Sequence, residues 1–268
     1  MKFYKVLTLG LATSLLAFTS CKKEDEDGDR TKTMTVRMTD SPGDYSELNV
    51  EIASVEAYHE NKGWIMLNNE AQVITVTDLT NGNEVELVNE ARIKTGNYTK
   101  LRLNFGDDNT LKINTQSSIT APIVAVEVDL ELMASSSQKS VEMEINQTVD
   151  RNNGANILID FDVANSISQN ASLNYQLNPK VTVISNEKTG ISGKITNSEH
   201  AAVILQGNGN SYSTYTSSNG DFLIRGVSSG MYTLKIQPSE DEYANETRIE
   251  EVTIIDGEIK SMGSITVE

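Results

Sequence analysis

The residues in this chain that could do chemistry are mainly carboxylates, and spacing decides what each set could do. Asp160 and Asp162 lie two apart in an alternating run, so both side chains point the same way, about 6–7 Å apart along the backbone. Two carboxylates across ~5–9.5 Å can perform glycosidic acid/base chemistry. Ile157, Ile159, Phe161 and Val163 alternate with them, however, and this reads first as a strand with a polar solvent face. Asp107-Asp108-Asn109 after Gly106 offers oxygen ligands, and calcium takes six to eight. The spacing is not that of an EF-hand loop, and Asp and Asn in turns bond their own backbone. These three are weak metal candidates beside the turn reading. Asp40 and Asp44 flank Pro42-Gly43 and are candidate ligand-binding residues. Trp64, the sole tryptophan, is a third: a Trp after a Gly turn either stacks on a ligand such as a sugar or plugs a core. Tyr58, Tyr212 and Tyr215 are further aromatic candidates. Tyr212 and Tyr215 are three apart and face opposite sides of a regular strand. His59 and His200 lack an H-E-x-x-H partner pattern and read as surface residues. No G-x-S-x-G, phosphate-binding loop or dinucleotide fingerprint is present. No catalytic residue and no cofactor is assigned.

Composition narrows the classes further. The 268 residues carry a formal charge of −16, which repels phosphate backbones and argues against nucleic acid as a partner. One Cys cannot form an internal disulfide or a thiolate zinc site, and two His make a multi-His centre improbable.

The single Cys has a distinctive place. Lys2 and Lys5 precede an apolar run of 13 residues, Val6 to Phe18, too short to span a bilayer and suited to a signal peptide. Thr19 and Ser20 then lead to Cys21. Residues 1–20 with Cys21 resemble a bacterial lipoprotein signal, in which the Cys is lipidated; Phe18 stands where Leu is commoner. Lys22-Lys23-Glu24-Asp25-Glu26-Asp27-Gly28-Asp29 follows, a charged run that stays solvated. Residues 21–32 are therefore expected to be a disordered acidic tether. Acidic residues just after the Cys resemble the surface-export signal of Bacteroidota lipoproteins. That implies a lipid anchor in the outer membrane, facing the cell exterior. Loss of Lys2 and Lys5 with the signal takes the charge from −16 to −18.

The elements that must position these residues alternate with period two. Leu101, Leu103 and Phe105 share one face, as do Val141, Met143 and Ile145, and Val124, Val126, Val128, Leu130 and Leu132. This is the pattern of half-buried antiparallel strands. Ser41-Pro42-Gly43-Asp44, Asn81-Gly82-Asn83, Gly106-Asp107-Asp108-Asn109 and Asn152-Asn153-Gly154 supply turns. Val85 to Lys94 has mixed spacing and reads as a short helix or loop. A boundary falls near Ser185 to Gly190. After it, strands are expected near 191–197, 201–206, 211–216, 220–224, 231–237, 249–255 and 259–267. The fold class is all-β, with two β-sandwich domains, 33–186 and 187–268, behind the signal and tether.

Two family resemblances fit this organisation. Met38-Thr39-Asp40-Ser41-Pro42-Gly43-Asp44-Tyr45, then Gly63-Trp64, Asp78-Leu79-Thr80-Asn81-Gly82, Gly96-Asn97-Tyr98, Ile159-Asp160-Phe161-Asp162 and Leu177-Asn178-Pro179-Lys180-Val181 resemble the bacterial lipoprotein domain of unknown function 4382. That resemblance implies a β-sandwich and no established activity. Gly190-Ile191-Ser192-Gly193-Lys194-Ile195, Asn219-Gly220-Asp221-Phe222 and Gly230-Met231-Tyr232-Thr233-Leu234 resemble the carboxypeptidase regulatory-like module, a transthyretin-like sandwich in a carbohydrate-binding-like fold group. The function expected is a non-enzymatic, surface-anchored binding or interaction module with a glycan or protein partner. The alternative is a structural spacer or assembly subunit, and a glycoside-hydrolase-type enzyme ranks last.

Overall fold

The computed structural model describes residues 31–41, 45–115, 124–129, 131–132, 139–172, 174–198, 200–238 and 246–267. These are almost wholly β. The first part runs β1 (Thr31–Ser41), β2 (Glu47–His59), β3 (Gly63–Asn68), β4 (Gln72–Thr75), a 3-10 turn (Val76–Leu79), β5 (Val85–Lys94), β6 (Gly96–Phe105), β7 (Thr110–Thr115), β8 (Val124–Asp129), β9 (Glu131–Leu132), β10 (Ser140–Val149) and β11 (Ala155–Asp162). It continues with one helical turn, α1 (Val163–Ser166), then β12 (Ile167–Gln169), β13 (Tyr175–Leu177) and β14 (Val181–Ile184). The second part is β15 (Gly190–Thr196), β16 (Ala202–Gly207), β17 (Asn210–Tyr215), β18 (Asp221–Arg225), β19 (Gly230–Gln237), β20 (Thr247–Ile254) and β21 (Ile259–Thr266). Among the described residues no helix is long and apolar enough to cross a membrane.

Two separate hydrophobic cores organise these strands. The first lies between the sheet β14-β11-β1-β5 and a larger sheet centred on β2. β6 and β7 follow one side of β2, and β3 and β4 follow the other. Alternation sends Val50, Ile52, Val55 and Ala57 of β2 inward against Met34, Val36 and Met38 of β1. The amide groups of Asn68 and Gln72 both donate to the Leu87 carbonyl, at 2.8 and 3.2 Å, and close one side of this sandwich. The second core lies between β18-β15-β21 and β17-β16-β19-β20, around Val203, Leu205, Phe222, Tyr232 and Leu234.

Three sequence expectations are corrected here. Val85–Lys94 is a strand, not a helix or loop. Its inward partners across β1 are Val85, Val88, Ala91 and Ile93, because the register shifts on either side of Val36. Each shift adds one residue, so a period of two becomes a spacing of three and imitates a helix. Second, the pairing is not uniformly antiparallel: β1 runs parallel to β11, and β15 parallel to β21. Alternation reports one-sided burial and says nothing of strand direction. Third, β1 begins at Thr31, inside the expected tether, with Thr31 and Lys32 opposite Lys94 and Ile93.

Candidate functional site

The outer face of the β14-β11-β1-β5 sheet is covered over part of its extent, while Thr33, Asn156 and Thr182 on it stay exposed. Arg37 and Thr39 of β1, Leu158 and Asp160 of β11 and Ile184 of β14 alternate outward there, against β17 and β18 of the second core. Leu158 is buried yet belongs to neither core. Between the two surfaces is a cleft of about 140 Å³, bordered by Thr39, Asp160 and Thr182 on one wall and by Tyr212, Leu223 and Arg225 on the other.

A carboxylate clasp fixes the walls. Glu84 accepts from Arg225 Nη1 at 2.5 Å with one oxygen and from Arg37 Nη1 with the other. Arg37 Nη2 also donates to Glu187 at 2.8 Å, and its Nε to Asn156 at 3.1 Å. Partial burial opposes the charge on the Arg37 guanidinium, but hydrogen bonds and attraction from Glu187 and Glu84 outweigh it and raise its pKa. A turn reinforces the clasp. Asn81 and Gly82 have φ of 59° and 75°, the left-handed pair that Asn-Gly favours. The turn presents the Asn81 N–H to Thr214 Oγ1 at 2.9 Å. A Cβ on Gly82 would lie 2.7 Å from Leu223 Cδ2, so a larger residue there would push Leu223 aside and strain the turn. Arg37, Glu84 and Arg225 escaped sequence reasoning. Arg225 is 141 positions from Glu84, and no local pattern marks such a contact.

Asp40, expected as a ligand-binding residue, sits at the end of the same strand. It continues the inward row of Met34, Val36 and Met38, is 6% exposed, and neither carboxyl oxygen has a hydrogen-bond partner. Burial above all, then the field of Asp160 and more weakly that of Asp162, pushes its pKa up to about 9; the Val163 N–H pulls the other way without forming a hydrogen bond of normal geometry. Asp40 therefore keeps its proton at neutral pH. Asp160 and Asp162 are not a solvent-face pair. Asp160 borders the cleft, and Asp162 caps α1 by accepting from the Asn165 N–H at 3.0 Å.

Trp64 lies on the outer face of the larger sheet, opposite Tyr58 of β2. Its ring meets Tyr58 edge-on at 5.3 Å. One of its faces carries the Arg102 guanidinium, 3.7 Å from the centroid, and Arg102 is held by Glu142 at 2.6 Å and Glu56 at 3.3 Å. Tyr212 is turned toward the second core, edge-on to Tyr232 at 6.1 Å. In the Gly106 turn, Asn109 is buried. Its amide donates to Gly106 O at 2.9 Å and accepts from the Glu51 N–H at 3.0 Å. The Asp108 N–H donates to Glu51 at 2.9 Å, and Asp107 pairs with Lys139. Among the described residues no three His, Cys, Asp or Glu side chains converge on a metal-sized site.

His59 corrects its expectation as a surface residue. It is 3% exposed, because it extends the inward row of Val55 and Ala57. Nδ1 accepts from the Asn61 N–H at 3.1 Å, which assigns the proton to Nε2, 3.3 Å from Thr95 O. His200 is exposed, as expected. Cys21 and Asp44 lie outside the described residues.

Residues 31–179 match the family described as domain of unknown function (DUF4382). The chain belongs to that family. The match takes in Asp40, Glu84, Asp160 and Trp64 but not the second core. No curated protein is significantly similar to this family member. Among solved structures, it is similar to a type II cohesin–X-dockerin complex from Acetivibrio cellulolyticus, with 26% identity, 28% of this chain and 52% of that chain covered, and a TM-score of 0.23. It thus spans about half of that chain's length. It is similar also to the shaft pilin spaA from Lactobacillus rhamnosus GG, with 9% identity, 88% and 97% coverage, and a TM-score of 0.21. These superpositions are too loose to carry a function across.

Proposed function

We propose that this DUF4382 chain is a non-enzymatic binding module, lipid-anchored through Cys21 behind an acidic tether on the outer face of the outer membrane, and that glycans are its ligands. The observation that carries this reading is the cleft between two β-units clamped by Glu84. A recess whose walls are fixed before a ligand arrives loses little entropy on binding, and junctions between units are where such sites concentrate. Four of the residues with chemical potential have structural tasks. Asp162 caps a helical turn, His59 closes a hairpin, and Asn109 and Asp107 hold a turn. A glycan array probed with the full chain in detergent tests the binding. Saccharide-specific signal without turnover supports it; an array with no signal sinks it. Labelled palmitate entering the wild-type chain but not Cys21→Ser supports the anchor, and equal behaviour of the two removes it.

A further inference from the structure

The cleft itself constrains which glycan it takes, if the binding reading above holds. Its volume of about 140 Å³ is on the order of ten water-sized spaces at ~10–15 Å³ each, room for one sugar ring rather than a long chain segment. The lining mixes hydroxyls, amides and charges with the side chains of Leu158 and Leu223. That combination suits a ligand with polar edges and apolar C–H faces.

Charge decides between the remaining classes. The cleft-lining Arg225 is bound to Glu84, and Arg37 behind it is bound to both Glu84 and Glu187. Neither guanidinium is left to neutralise an incoming anion. The whole chain stands at −16. A phosphate, sulfate or uronate would enter against this field. Sugar hydroxyls would not, because a carboxylate accepts hydrogen bonds from neutral donors.

The flat aromatic face is a poorer site. Trp64 already stacks one ring face on Arg102, and Arg102 is pinned by Glu56 and Glu142. Using that face would mean displacing a paired guanidinium.

We propose that the cleft between the two β-units is a binding site for a single uncharged saccharide residue, with Asp160 accepting from its hydroxyls and Leu158 and Leu223 flanking its C–H face. Both units contribute walls, so neither alone would hold the site. This rests on the glycan-binding reading and adds the site and the charge class.

The test uses the full chain in detergent, the array to find a binder, and titration calorimetry with that saccharide on four proteins. Leu158→Trp fills the cleft. Asp160→Asn weakens the acceptor at constant volume and serves as the second variant if the larger side chain disturbs folding. Trp64→Ala removes the competing surface. The expected result is a neutral saccharide whose affinity falls about tenfold or more in both cleft variants and is unchanged in Trp64→Ala. Affinity that survives both cleft variants overturns the site while leaving the glycan reading intact, as does a preference for acidic saccharides. No binding to any saccharide overturns both.

Discussion

Asp40 is the residue whose chemistry departs furthest from its sequence appearance. The folded chain holds its proton up to about pH 9, and the unfolded chain releases it near pH 3.8. Between those values the folded state binds the extra proton, so stability falls as pH rises, by up to ~1.4 kcal/mol per pH unit. Asp40→Asn removes this dependence. Urea unfolding of the wild type should weaken steadily from about pH 5 to about pH 8 relative to Asp40→Asn; parallel curves for the two would mean the carboxyl ionises freely. His59 and Gly96 make a second residue-scale case. Gly96 has φ of +144°, and a Cβ there would lie 2.3 Å from His59 Nε2. Gly96→Ala should cost about 2–4 kcal/mol, backbone strain plus clash. In a His59→Ala background the same change should cost less, which a double-mutant cycle measures directly. The sequence held a signal for both buried polar residues. Asp40 ends the row Met34, Val36, Met38, and His59 ends the row Val55, Ala57. A period-two reading that continues through a polar residue finds them; one that treats polar as exposed does not.

At the scale of elements, three edge strands share one device. In β5, β10 and β20, two residues oppose one threonine of the neighbouring strand: Asn89-Glu90 at Thr35, Ile145-Asn146 at Thr99, and Glu250-Glu251 at Thr233. Glu90 and Glu251 have φ of 48° and 58°. The Glu90 N–H reaches Thr35 Oγ1 at 3.4 Å, and the Thr233 hydroxyl donates to Glu250 at 2.5 Å. A bulge twists the edge and spoils its register for pairing with another chain. This speaks against a role built on strand addition along these edges. Deleting Asn89 should restore a regular ladder, with Glu90 alone opposite Thr35 and Val88 still inward opposite Val36, and so flatten the edge. The variant is expected to self-associate, visible as larger species in sedimentation; a monomer would show that the bulge does not guard the edge. The same bulges explain what the sequence conceals. Strand positions in the second core were legible to within about two residues, because each strand there is short and bounded by a Gly or Asn turn. Val85–Lys94 was not, because two insertions erase its period.

At the scale of the whole molecule, the chain has two cores joined by a polar interface, and whether they act as one body depends on a few contacts. The cores share no residue. What crosses between them is the Glu84 clasp, the Asn81–Thr214 hydrogen bond and the packing of Leu223 on the Gly82 turn. None of this was legible beforehand, because Arg225–Glu84, Asn81–Thr214 and Gly82–Leu223 each join residues more than a hundred positions apart and charge composition does not reveal partners. Arg225→Gln tests the clasp cleanly. It cuts the tie to the second core and leaves Glu84 paired with Arg37 and Arg37 paired with Glu187, so no charge is stranded in the interface. Charge-assisted bonds in a partly screened setting contribute about 1–2 kcal/mol. Losing that much should lower the melting of the second unit and separate it from the first in a calorimetric scan, where strongly coupled units melt together. Cleavage by a protease in residues 185–189, between the cores, should quicken in parallel. High salt should weaken the wild-type coupling in the same direction, though less than the substitution, because Glu84 is largely shielded from ions. If Arg225→Gln melts as the wild type does and its linker is cut no faster, the packing of Leu223 on the Gly82 turn holds the units together and the clasp only sets their register.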